Sequence, residues 1–181
     1  MKMIILKAFT ILVAIVSMAA VIAMFSKNKY TLTRNIVINK AKEEVFAYIR
    51  LNRNQQAYSK WLALDPNTKI QFKGAADGTP GAILTFSSKS NKTGTGEWEI
   101  KNIVDGEKMD FELRFLAPFV FTANGTFLTQ SIAEQQTKVT WTYNSGMDWP
   151  KNFMLLFMDM DKIVGNDIQE SLVNVKNNLE R

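Results

Sequence analysis

The stretch DKIVGNDIQESLVNVKNNLE, residues 161–180, decides how the rest of the chain must fold. Ile163, Val164, Ile168, Leu172, Val175 and Leu179 recur at steps of one, three or four, so a helix here carries one continuous apolar stripe. A stripe of that length needs a surface to cover it. The candidate is the series of alternating segments between residues 68 and 145, which read as strands of an antiparallel sheet with one apolar face. A curved sheet closing on one long helix leaves an apolar hollow between the two, and function is expected in that hollow. The fold class that follows is α+β.

The alternation is legible strand by strand. Ile70 and Phe72 share a face in one strand; Ala82, Leu84 and Phe86 share one in the next, entered through the turn Asp77-Gly78-Thr79-Pro80-Gly81. Thr93-Gly94-Thr95-Gly96 opens a strand with Trp98 and Ile100 on one side and Glu97, Glu99 and Lys101 on the other. Asp105-Gly106 marks a hairpin, after which Met109, Phe111, Leu113 and Phe115 alternate with Asp110, Glu112 and Arg114. Ala117-Pro118 interrupts the run. Phe119, Phe121, Ala123, Gly125 and Phe127 then line one face of a further strand, and Val139, Trp141 and Tyr143 one face of the last.

Ahead of these, Leu32, Ile36 and Ile38 predict a strand over 30–38. Asn39 is placed to cap a helix over 40–50, with Glu43 and Glu44 in its first turns and Val45, Phe46 and Ile49 as its buried stripe. A second, short helical stretch over 54–61 ends before Asp65-Pro66-Asn67.

Residues 8–25 are uncharged and mostly apolar, about 27 Å as a helix, and adding residues 4–7 gives about 33 Å. The expectation is a single-pass membrane anchor through residues 4–25, with 1–29 as anchor and tether and 30–181 as the folded domain. A cleaved secretory signal is the rival reading, because Ser17-Met18-Ala19 and Val21-Ile22-Ala23 offer small residues at suitable spacing, although the apolar run continues past both. A buried core helix is the third. Lys2 and Lys7 precede the span and Lys27, Lys29 and Arg34 follow it, a balance that leaves the side of the membrane open.

Composition narrows the chemistry. The chain has no cysteine and no histidine, which excludes disulfides and a cysteine nucleophile and removes the commonest general base and zinc ligand. No metal site, cofactor or catalytic set is expected. The net charge of +5 comes from Lys and Arg spread along the chain without a run of four, so no nucleic-acid footprint is read from it. Glu97 with Glu99, and Asp110 with Glu112, fall on the polar strand face, away from the hollow. Asp159 and Asp161, near the start of the last helix, read as caps.

Several pieces together carry a family resemblance: Lys138-Val139-Thr140-Trp141 followed by Leu156 to Gly165, Asn35 to Asn39 leading into Glu44 to Ile49, the Gly94-x-Gly96 strand start, and Leu116-x-Pro118-Phe119. As a set, spanning about residues 30–180, they resemble the polyketide cyclase/dehydrase-like branch of the START-related (SRPBCC) superfamily. The resemblance implies a helix-grip fold with a deep apolar cavity between sheet and C-terminal helix. It implies binding of lipids, sterols, polyketides or other hydrophobic molecules, with enzymes in the minority and no shared catalytic motif to carry over. Ser171 stands where relatives commonly show glycine, which implies a cavity narrowed at that point.

The expected cavity wall is Phe86, Trp98, Phe111, Leu113, Phe115, Phe121, Trp141 and Tyr143 from the strands and Leu172 from the helix, because ligand cavities are lined mostly by apolar and aromatic groups. Trp61 and Trp149, in connections, and Phe153, Phe157 and Met158, in the segment MDWPKNFMLLFMDM (147–160), are the expected gate or lid. That segment reads as a mobile lid, a second membrane-touching element, or the buried first turns of the closing helix. The functional expectation is membrane-anchored, non-catalytic binding of a small hydrophobic or lipid-like molecule. A cyclase or dehydratase using Tyr143 or an unexpectedly buried carboxylate, and an interaction domain with a filled interior, are the alternatives.

Overall fold

The computed structural model describes residues 2–181, so Met1, the first residue of the expected anchor segment, lies outside the described residues. Helix α1 (Lys2–Phe25) projects from the domain and meets it through its last turns: it is long and apolar enough to cross a membrane, and Ala23 is its one buried residue. Strand β1 (Lys29–Ile38) follows after three residues, then α2 (Lys42–Ile49), the single turn α3 (Gln55–Tyr58), and strands β2 (Lys69–Gly74) and β3 (Ala82–Ser87). Four longer strands complete the sheet: β4 (Thr95–Val104), β5 (Lys108–Ala117), β6 (Phe121–Ala133) and β7 (Gln136–Gly146). A 3-10 segment (Lys151–Leu156) and a π turn (Asp161–Gly165) lead into α4 (Asn166–Leu179).

The seven strands form one antiparallel sheet in the order β1-β7-β6-β5-β4-β3-β2. Chain-order neighbours pair throughout, except that β1 closes on β7, and α4 packs against β1 and α3. Its Ile168, Leu172 and Val175 are buried as the stripe requires. The expected α+β helix-grip arrangement, a curved antiparallel sheet wrapped on the C-terminal helix, is the one observed.

The register fixes which loops lie together. Lys29 faces Gly146, Asn144 faces Asn124, Phe121 faces Phe115 and Ala117 faces Thr95. One end of the sheet therefore gathers the exit of α1, the β5–β6 turn and the start of the 147–160 segment. The β4–β5 turn at Asp105-Gly106 and the β6–β7 turn at 134–135 lie at the opposite end.

Four local expectations change. The closing helix begins as a π turn, and regular α-helix starts only at Asn166. Glycine at 165 permits a close approach there: a Cβ would strike the Arg34 guanidinium, which crosses beneath the turn to pair with Asp161 at 2.9 Å. Asn39 does not cap α2, because that helix starts two residues later, after Ala41. Asn39 is used instead by the chain terminus and by β7, its N–H donating to Glu180 Oε1 at 2.6 Å and its Oδ1 accepting from Gln136 Nε2 at 3.1 Å. Phe72 is 48% exposed, since β2 is the edge strand and lies farthest from the strand on which α4 packs. Phe119 belongs to the β5–β6 turn rather than to the inner face of β6.

Candidate ligand cavity

Strand alternation points the inner side chains of β3 to β7 at the concave side, and α4 stops short of covering all of them. Between them lies a cavity of about 1030 Å³, open at the end of the sheet where α1 leaves. Its wall includes Phe86, Trp98, Leu113, Phe115, Phe121, Trp141 and Tyr143 from the strands, with Trp61 closing one side. The rings brace one another, so the wall is preformed. Phe115 stacks on Phe121 at 4.4 Å between centroids and takes the edge of Trp61 at 5.3 Å, while Trp98 and Trp141 meet at 6.0 Å edge to face. Trp61 is held in place because its Nε1–H donates to the Thr93 carbonyl at 3.0 Å.

Phe111 and Leu172 are brought to the same core but not to the cavity surface. Phe111 stacks behind Trp98 at 3.7 Å, and its ring lies against Gly125, where any Cβ would collide with it. Leu172 is completely buried among the other core side chains. Among the expected gate residues, Met158 reaches the cavity, as do Met154 and Met160. Phe153 and Phe157 pack edge to face on one another at 6.4 Å outside it. Trp149 turns toward α1, donating from Nε1 to the Ala20 carbonyl at 3.2 Å.

Polar groups gather at two places on the lining. Tyr30, Tyr143, Ser145 and Asn144 lie near the open end, on β1 and β7. Burial pushes both tyrosine phenols above their ordinary range, so they remain neutral hydrogen-bonding groups at physiological pH. Gln55, Ser59, Asp167 and Ser171 form the second group, where α3 meets α4. Ser171 Oγ donates to the Asp167 carbonyl at 2.7 Å and accepts the Lys60 N–H at 2.9 Å, which ties the segment after α3 to α4. Partial burial raises the Asp167 carboxyl above the usual range; Lys60 opposes the shift and Glu170 adds to it.

The carboxylates singled out on the strands stay on the outer face. Arg114 bridges Glu97 at 2.9 Å, Glu99 at 2.6 Å and Glu112, with Lys73 on Glu97 and Lys101 on Glu99. Their hydrogen bonds to Lys73 and Arg114 hold Glu97, and to Arg114 and Lys101 hold Glu99, below the ordinary carboxylate range. This is an ionic network of the convex surface, remote from the cavity. Asp167, by contrast, was missed in the sequence. The signal was present: 163, 167 and 171 follow one another at steps of four, so Asp167 sits on the cavity-facing flank of the apolar stripe.

The sequence matches no protein-family model and no curated protein. Solved structures share the fold. The Zhui aromatase/cyclase from Streptomyces sp. R1128 superposes with a TM-score of 0.62 at 12% identity, covering 84% of this chain and 94% of that one. Protein CV1439 from Chromobacterium violaceum gives 0.60 at 12% identity, over 83% and 97% of the two chains. The Aha1 dimer from Colwellia psychrerythraea gives 0.55 at 13% identity, over 83% and 96%. The chain thus shares the helix-grip fold of these structures, preceded by an apolar helix.

Proposed function

We propose that this protein binds a small hydrophobic or lipid-like molecule in the helix-grip cavity, without catalysis, and that α1 anchors it in a membrane. The observation that carries the reading is the unfilled space of about 1030 Å³ walled by Trp61, Phe86, Trp98, Phe115, Phe121 and Trp141. That volume is at the upper end of small-molecule sites, which run to about 1,000 Å³. The two polar groups at its margins suit an amphiphile: an apolar body along the aromatic wall and a polar head at Tyr30 and Tyr143 or at Gln55 and Asp167. An interaction domain with a filled interior would need that space occupied by its own side chains.

Native mass spectrometry of the full chain purified from membranes tests the reading. A hydrophobic molecule bound at one to one is expected, and it should be lost in Leu113→Trp, which fills the cavity from a half-buried wall position. Retention of the molecule at full occupancy in Leu113→Trp would place it elsewhere. Catalysis in the same cavity is the second reading, and one observation favours it: Asp167 joins Tyr143 as a titratable group on the lining. On that reading turnover of a cyclisable substrate vanishes in Asp167→Asn or Tyr143→Phe; on the leading reading neither substitution removes an activity.

A further inference from the structure

We infer that the apolar rim of the cavity docks on the bilayer surface at the foot of α1, so that the ligand passes between cavity and membrane without crossing water. The inference rests on α1 being a membrane span, and it adds a posture and a docking face to that reading. The exposed apolar side chains at the open end come from two separate elements. The end of β5 and the β5–β6 turn present Leu116, Phe119 and Val120, the last two 75% and 79% exposed, and the 147–160 segment presents Met154, Leu156 and Phe157, the last 81% exposed. Phe119, Val120 and Met154 also line the cavity, so the patch is its lip. Ile163, 48% exposed on the π turn, lines the cavity as well; elsewhere in the folded domain, Val37, Phe72, Val104, Ile132 and Val173 lie on separate strands and on α4, the scatter expected of an ordinary surface.

The connection to α1 is what selects the bilayer as the occupant. The last carbonyls of a helix have no partner within it. Here Asn152 Nδ2 donates to the Ala23 carbonyl, in that last turn, at 2.7 Å and to the Ser26 carbonyl, just past the helix, at 3.2 Å, and Trp149 Nε1 donates to the Ala20 carbonyl, further in, at 3.2 Å. The Met147 N–H adds a bond to the Asn28 carbonyl at 2.9 Å. The rim segment is therefore pinned to the last turns of α1, and the domain is not a body swinging on a loose tether. Ala20 is five residues before Phe25, about 7.5 Å along the axis. The 24 residues of α1 measure about 36 Å against a hydrocarbon core of about 30 Å, which sets Trp149 at the depth where indoles favour the membrane interface. Lys29, Lys151 and Asp148 all line the cavity at this end, so the face carries mixed charge and its apolar residues supply the attraction.

The absence of native cysteine makes the test direct. Phe119→Cys, Phe157→Cys, Val13→Cys and, at the far end of the sheet, Glu134→Cys each receive one environment-sensitive fluorophore on the full chain, reconstituted in phosphatidylcholine vesicles carrying doxyl-labelled lipid. Labels at 119 and 157 are expected to emit to the blue of the label at 134 and to be quenched several-fold more strongly. Quenching at 13 with labels 119 and 157 as water-exposed as 134 overturns the docking face and leaves the anchor standing. A label at 13 that is not quenched removes the anchor and the docking face together. Val120→Cys serves as a second rim position should a labelled variant fail to fold.

Discussion

Asp167 shows how one residue's setting differs from its local sequence context. On the exposed face of a helix it would be an ordinary solvated carboxylate; beside Ser171 and Ile168 on the cavity flank it is half-buried, and its ionised form is disfavoured. The sign of the consequence follows from linkage. A carboxyl whose folded pKa lies above its unfolded one binds its proton more tightly when folded, so stability falls as pH rises through the ordinary carboxylate range and beyond it. Asp167→Asn is accordingly expected to raise the melting temperature at pH 7 and to leave it unchanged below about pH 3, where an ordinary aspartate is already largely protonated. Thermal melts of the two proteins across that range check it. Glu97 and Glu99 act in the opposite direction, because their depressed pKa values add stability that is lost as pH falls through them. The alternation of β4 and β5 already told these two kinds of acid apart for the strands. For Asp167 it did not, because a helix flank shifts by 100° per residue and a single position off the stripe changes its surroundings.

At the scale of elements, α4 has two jobs along one face. Leu172 and Val175 are fully buried and join it to the core, whereas Asp167 and Ser171, together with Ile163 and Val164 of the π turn before it, meet the cavity. Leu172→Ala is expected to cost roughly 2–5 kcal/mol of unfolding free energy, the usual range for a buried leucine, and to leave ligand occupancy intact. Urea unfolding read alongside native mass spectrometry separates the two effects, and loss of ligand without loss of stability would return Leu172 to the cavity wall. The stripe itself was legible in residues 161–180, as was the sheet it covers. The π turn was not, since nothing in Asp161-Lys162-Ile163-Val164-Gly165 distinguishes it from regular helix until Arg34 of β1 is seen to occupy the space beneath Gly165. The same holds for Trp149 and Asn152: their role depends on carbonyls of α1 about 130 positions away, a pairing that no local pattern encodes.

For the whole molecule, the order of elements produces a polarity. Antiparallel pairing brings the end of α1, the β5–β6 turn and the pinned 147–160 segment to one end of the sheet, and the cavity opens there. Which strand residues face inward was legible strand by strand; that Phe111 lies beneath Trp98, away from the cavity surface, was not. That the cavity opens beside the apolar helix was not legible, because it arises from the register of seven strands taken together. If the cavity is a binding site, a hydrophobic molecule must enter this interior. The direct measurement is photo-crosslinking of the full chain, in its native membrane, with a diazirine-bearing fatty acyl probe, followed by mapping of the modified peptides. Adducts on the wall, at Trp98, Phe115 to Phe121 and Trp141, are the predicted result. Adducts confined to α1 and the rim, with none on the wall strands, would contradict it.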